Sequence, residues 1–353
     1  MLTVEATQTL ENVLNAARIR IQVSDEELTE SRKRRAAIAS VLLAEFPGSR
    51  TYVNGSIAHG DALTPLTDVD LGVVVPDPDN QYGPGLKGPK DLKARAAAAI
   101  RSGLKEAYGD LAVEVEGRKR SVLIRFRDPV AAGLPDFTAD VIVAVDNQRA
   151  DGLYIPRHDS WDRSHPERHT QLIHDANEKS KASYARVVRL IKHWNRTHDK
   201  PLCSWNIKAL ALASVREPLG LMAGIQTWLR YAVEQLAQEE TPDPARVSPH
   251  PIRTNKPRSE VVRSLRAALE TLELAVALER DGYLMLAQDE LAKLFKDQGM
   301  LPRPNPMLVL EEEARRVAAI KTKDSKAYGT PALMTGTGSA ANRNRVNARS
   351  WRP

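Results

Sequence analysis

Residues 55 to 70 read Gly55-Ser56-Ile57-Ala58-His59-Gly60-Asp61-Ala62-Leu63-Thr64-Pro65-Leu66-Thr67-Asp68-Val69-Asp70. A Gly-Ser turn exposes backbone N–H groups and a hydroxyl, a concavity that can hold a phosphate. Asp68 and Asp70 are two apart, so on a strand both carboxylates point to one face. Hard divalent cations such as Mg²⁺ favour that arrangement of oxygens, together with substrate phosphates. A third carboxylate on a neighbouring strand would complete a two-metal site for in-line phosphoryl displacement. Asp140, which opens the run Asp140-Val141-Ile142-Val143-Ala144-Val145, is the candidate. An isolated Asp-x-Asp pair more often ends a strand in a solvated turn, but this one leads into an apolar run and follows Gly-Ser.

Further along, Arg189, Lys192 and Arg196 fall at i, i+3 and i+7 and make a cationic stripe opposite the apolar face of a helix. Trp205 sits on another apolar helix, where core packing is the ordinary role for an aromatic. The stretch Gly83-Pro84-Gly85-Leu86-Lys87-Gly88 satisfies G-x-G-x-x-G, but Pro84 and the missing strand-to-helix turn make it a decoy loop. His158, His165, His169 and His174 are read as loop and cap residues and not as a metal cluster.

These residues need elements to hold them. Ser24 followed three residues later by Glu27 is a capping box, and it opens a helix running to about residue 45. Short runs at 51–53, 69–75, 111–115, 121–126 and 139–145 read as strands, and 91–108 as a helix. From about Pro166 the pattern turns helical: Tyr184, Val187, Val188 and Ile191 share one face, as do Leu265, Leu269, Leu272 and Val276. Pro-rich polar loops such as 241–257 separate these helices. The expected organisation is an α/β unit over 1–165, a helical unit over 166–325, and a basic, disordered tail over 326–353.

The chain has 353 residues, suggesting roughly two domains, and its 42% hydrophobic and 27% charged content excludes collagenous and largely disordered classes. One cysteine, Cys203, excludes an internal disulfide and a multi-thiolate metal site. No segment approaches the ~18 apolar residues of a membrane helix, and residues 1–20 carry Glu5 and Glu11 with no apolar h-region, so a cytoplasmic protein without membrane contact is expected. The net charge of +6 resides entirely in residues 321–353, which carry seven Lys and Arg against Asp324. The preceding 320 residues are neutral, which argues against a nucleic-acid-coating surface.

The 55–70 segment resembles the active-site signature of the DNA polymerase β-like nucleotidyltransferases. More narrowly, it resembles the branch of oligoadenylate synthetases, cyclic GMP-AMP synthase and bacterial CD-NTases. The narrower likeness rests on Arg118 to Phe126 followed by Asp140 to Val145, on Ile155-Pro156 through Trp161, Pro166 and His169, and on the blocks 189–194 and 202–208. The resemblance implies an α+β, bilobal fold: a polymerase β-like mixed sheet with helices, then a helical C-terminal domain like that of oligoadenylate synthetase. It implies that Asp68, Asp70 and Asp140 bind two Mg²⁺ ions, with Mn²⁺ as a substitute, and are the catalytic acids. It also implies that Gly55 and Ser56 hold the donor triphosphate with Lys192 and Ser204, and that Trp205 stacks on a nucleobase.

The implied activity is template-independent joining of nucleoside triphosphates into a cyclic oligonucleotide second messenger for bacterial antiphage (CBASS) signalling, the product acting on a separate effector protein. A linear oligonucleotide synthase, an enzyme adding nucleotides to RNA or protein, and a catalytically silent nucleotide- or RNA-binding module are the alternatives. Nucleic-acid activation is not expected, and the basic tail either docks a regulatory protein or solvates the terminus. Two departures stand out: Gly60-Asp61 where relatives often have Gly-Thr, which brings a negative charge near a polyphosphate site, and Val143 where they often have Pro. Base choice, linkage and ring size depend on the pocket around Trp205 and Asn206 and are not set by these motifs.

Overall fold

The structure is a computed structural model and describes residues 9–77, 81–86, 88–116, 118–130, 133–147 and 150–327. The expected tail from 328 onward lies outside the described residues. Eleven helices and seven strands are assigned among the described residues.

At the centre is a mixed sheet. Strand β1 (Arg50–Val53) pairs antiparallel with β2 (Asp68–Val75), which pairs parallel with β5 (Thr138–Asp146). Beyond β5 come β4 (Val122–Arg125) and the edge strand β3 (Ala112–Glu114), both in antiparallel pairs. The hairpin of β6 (Leu153–Arg157) and β7 (Ser160–Ser164) attaches to the far end of β5.

Period-two alternation divides the sheet. The odd-numbered side chains, Val69, Leu71, Val73, Val75 on β2 and Ala139, Val141, Val143, Val145 on β5, are buried under helices α2 (Asp25–Glu45) and α4 (Gly88–Leu104). The even-numbered side chains, Asp68, Asp70 and Asp140 among them, face the other way. Val143, where relatives often carry Pro, is fully buried within this ladder.

The capping box is present, with the Ser24 hydroxyl accepting from the Glu27 amide and the Glu27 carboxylate from the Ser24 amide. Glu27 also accepts from the Leu66 amide at 2.7 Å and the Thr64 hydroxyl at 2.9 Å, so the cap of α2 anchors the segment leading into β2.

The second core is helical. It gathers α6 (Ser183–Thr197), α7 (Ser204–Ser214), α8 (Leu221–Gln238), α9 (Arg258–Arg280) and α10 (Leu284–Phe295). Tyr184, Val187, Val188 and Ile191 are all buried, as are Leu265 and Leu272, with Leu269 and Val276 packed at the edge.

Helix α1 (Leu10–Arg20), a segment that the sequence places in the 1–165 unit without an element of its own, is N-capped by Thr9. Its buried Leu10, Leu14, Ala17 and the following Ile21 belong to this helical core and not to the sheet. The last helix, α11 (Pro306–Ala327), runs two residues into the segment read as tail. No helix among the described residues is long and apolar enough to cross a membrane.

Candidate active site

The Gly-Ser turn closes β1 and becomes the short helix α3 (Gly55–Ala58), entered by Gly55 at φ +83°. A Cβ on Gly55 would lie 1.7 Å from a carboxylate oxygen of Asp70, so glycine is what allows this turn to rest on that acid. Asp70 stands directly opposite Asp140 in the parallel β2–β5 register, with Asp68 two residues earlier on the same face. The Ser121 hydroxyl donates to the Asp140 carboxylate at 2.7 Å. Burial, and then the negative charges of Asp68 and Asp140, push the Asp70 carboxyl up to about 6. That crowding of acids is what cations relieve.

Among the described residues no three His, Cys, Asp or Glu side chains converge as a ready metal cage.

Gly55, Asp70, Ser204 and Trp205 line one cleft of about 620 Å³. Trp205 is half-buried on α7, its ring centroid 4.4 Å from that of His169. His169 in turn meets Asp243 at 2.7 Å, and Asp243 accepts from the amides of Ala245, Val247 and Ser248. A single carboxylate thus shapes the loop beside the tryptophan. Asn206, expected at the pocket, is fully buried; its amide group donates to Ile252 O at 2.8 Å and pins the same loop from beneath.

The lysines hold a surprise for the sequence reading. Lys192 donates to the Asp61 carboxylate at 2.7 Å and to its main-chain oxygen at 2.9 Å. Lys208, four residues after Ser204 on α7, meets the other Asp61 oxygen at 3.1 Å and lines the cleft. Asp61 is fully buried; burial raises its carboxyl, but Lys208 and Lys192 outweigh that and hold it below the usual range. The charge expected to oppose a polyphosphate is therefore neutralised by two lysines, leaving the trio at +1.

His59 completes the group. Burial, reinforced by Lys208, pushes its imidazole down to about 3, so it is neutral. Its Nδ1 then accepts from Lys208 Nζ at 2.7 Å, and Nε2–H donates to the Thr170 hydroxyl at 3.1 Å, which donates to Val53 O at 3.2 Å. Lys208 and His59 were not singled out from sequence; the i, i+4 spacing of Ser204 and Lys208 was the available signal.

The cationic stripe of α6 faces the segment between α3 and β2. Arg189 donates to Gly60 O at 2.6 Å and Ala62 O at 3.2 Å, and Arg196 to Thr64 O at 3.2 Å. With Lys192 on Asp61, three turns of one helix grip residues 60–64.

The four histidines read as loop and cap residues divide. His158 sits in the β6–β7 turn at φ +52° and His165 caps α5 (Pro166–Lys179), accepting from the Arg168 amide. His169 and His174 are neither loop nor cap residues but lie inside α5, which Pro166 opens at the point where the pattern turns helical.

No family model and no curated protein matches this chain. Solved structures do. CdnG of Bradyrhizobium diazoefficiens, a CD-NTase solved with GTP, aligns with a TM-score of 0.59 at 16% identity, covering 83% of this chain and 97% of its own. CdnC of E. coli MS115-1, solved with HORMA-deltaN, aligns with a TM-score of 0.57 at 18% identity over 80% and 95%. DncV of Vibrio cholerae, a cyclic AMP-GMP synthase solved with the linear intermediate pppA(3′,5′)pG, aligns with a TM-score of 0.54 at 15% identity over 84% and 88%. Across the mixed sheet and the helical half, this chain has the fold of the bacterial CD-NTases.

Proposed function

We propose that the protein is a template-independent nucleotidyltransferase that joins nucleoside triphosphates into a cyclic oligonucleotide. The observation that carries this reading is the register match of Asp70 with Asp140, with Asp68 on the same face, at a Gly-Ser turn that only glycine permits.

In this reading the Gly55-Ser56 turn holds the donor triphosphate, and the Lys192–Asp61–Lys208 trio supplies net positive charge beside it. Ser204 at the start of α7 adds a hydroxyl, and Trp205 offers its ring to a base. Asp70 or Asp140 orients an acceptor ribose hydroxyl and takes its proton as the oxygen bonds to the α-phosphorus and pyrophosphate departs. Two Mg²⁺ ions, held by Asp68, Asp70 and Asp140, would supply the charge neutralisation at the phosphates.

The wider setting is part of the same proposal: a signalling role in bacterial antiphage defence, with the product acting on an effector and a protein partner regulating synthesis. The CdnC structure, solved with HORMA-deltaN, supports the idea of such a partner.

The test incubates the protein with all four ribonucleoside triphosphates and Mg²⁺ or Mn²⁺, then treats with phosphatase and reads the products by mass spectrometry. A phosphatase-resistant product from wild type, and a loss of at least about 100-fold in the Asp68→Ala plus Asp70→Ala variant, is the expected result. A phosphatase-sensitive product means a linear synthase, and nucleotide binding without pyrophosphate release means a silent binding module.

A further inference from the structure

The floor of the cleft carries a polar group that the catalytic reading leaves idle. Tyr52 on β1 is only 5% exposed, and its hydroxyl finds no hydrogen-bond partner among the described residues. Its ring crosses β2: Tyr52 stands opposite Gly72 in the antiparallel register, and a Cβ at position 72 would lie 1.9 Å from the ring carbon that bears the hydroxyl. Gly72, whose partner on β5 is Ile142, therefore makes room for this phenol, and Tyr52 packs in one cluster with Ile155, against which Ile142 lies. Tyr52, Ile142 and Ile155 together line the cleft, with Lys119 and Arg120 on its rim.

Packing alone does not account for a tyrosine here. A buried hydroxyl without a partner is destabilising, and phenylalanine would fill the same space without that cost. Position adds a second constraint. Gly72 is two residues beyond Asp70 on the same face, about 7 Å along the strand, comparable to the span from a ribose hydroxyl to the edge of its own base.

We propose that the Tyr52 hydroxyl is a specificity-determining contact for the acceptor nucleotide: with the ribose hydroxyl at Asp70 and Asp140, the base lies on the Tyr52–Ile142–Ile155 floor and the phenol donates to an acceptor atom on its edge. The inference rests on the nucleotidyltransferase reading above. A site built to hydrogen-bond one substrate discriminates against analogues that leave its buried group unpaired.

The experiment compares wild type with Tyr52→Phe. Thermal melting is measured without nucleotide, and ATP, GTP, CTP and UTP are each titrated calorimetrically with Mg²⁺. The variant is expected to melt at the same or a higher temperature. It should bind at least one triphosphate roughly fivefold to tenfold more weakly, while its affinity for another changes less than about twofold. Four unchanged affinities, a uniform change in all four, or a lower melting temperature in the variant overturns the inference. Tyr52-dependent binding without pyrophosphate release counts against the reaction alone. Pyrophosphate release with no Tyr52 dependence counts against this inference alone, and a wild type that binds no triphosphate overturns both.

Discussion

Asp61 shows how one residue changes meaning when its neighbours are known. In the sequence it is an extra negative charge close to a phosphate turn; in the structure it is the fully buried counter-charge of Lys192 and Lys208. Removing one member of a buried ion cluster leaves the others uncompensated. Asp61→Asn is therefore expected to lower stability by about 3–5 kcal/mol, measured by denaturant unfolding. Adding Lys208→Met to Asp61→Asn should recover part of that loss, because it withdraws one of the two stranded ammonium groups. Equal stability of Asp61→Asn and wild type would show that the cluster is not coupled as drawn. Asp68, Asp70 and Asp140 were legible because period-two spacing and an apolar strand are local signals. Lys208 and His59 were not, because they meet each other across 149 residues and Lys208 meets Asp61 at a similar separation, pairings that only folding makes.

Elements carry the next level of organisation. The 241–257 loop has no regular structure of its own, yet Asp243 holds it through His169 and three amides. Burial would raise the Asp243 carboxyl, but the hydrogen bonds from His169 and the Ser248 amide outweigh it and bring the group down to about 2. A carboxyl depressed in the folded state stabilises above its unfolded value of 3.8, and that contribution disappears as pH falls from about 4 through about 2. The stability difference between wild type and Asp243→Asn is therefore expected to be about 2 kcal/mol near neutral pH and to shrink across that window. A pH-independent difference would contradict the assignment. Helices α2 and α6 were readable from a capping box and a 3.6-residue period. The β6–β7 hairpin was not, since Pro156 interrupts the strand pattern of a short polar segment and only pairing with β5 supplies the ladder.

At the scale of the whole molecule, α6 joins the two cores. Its apolar face sits in the helical core while Arg189, Lys192 and Arg196 hold residues 60–64 of the sheet side. The position of residues 60–64, which follow the Gly55-Ser56 turn, thus depends on the helical half. The first 320 residues carry no net charge, and polyanion binding needs an excess of Lys and Arg to displace counterions. Adding duplex DNA or RNA is therefore expected to change the rate of pyrophosphate release by less than about twofold. A salt-sensitive tenfold activation would count against that reading.

By itself the sequence determined the alternation that puts Asp68 and Asp70 on one face, the glycine at the turn, the capped helix and the apolar faces of the helical half. All of these follow from spacing within one element, where backbone geometry alone decides which side chains share a face. Only the tertiary structure decided that Asp70 meets Asp140 in register and that Asp61 neutralises two lysines. The same holds for the cationic stripe, which turns inward to grip 60–64, and for Tyr52, whose hydroxyl lies unpaired over Gly72. Strand register and buried charge pairing depend on segments far apart in the chain, and no local period encodes them.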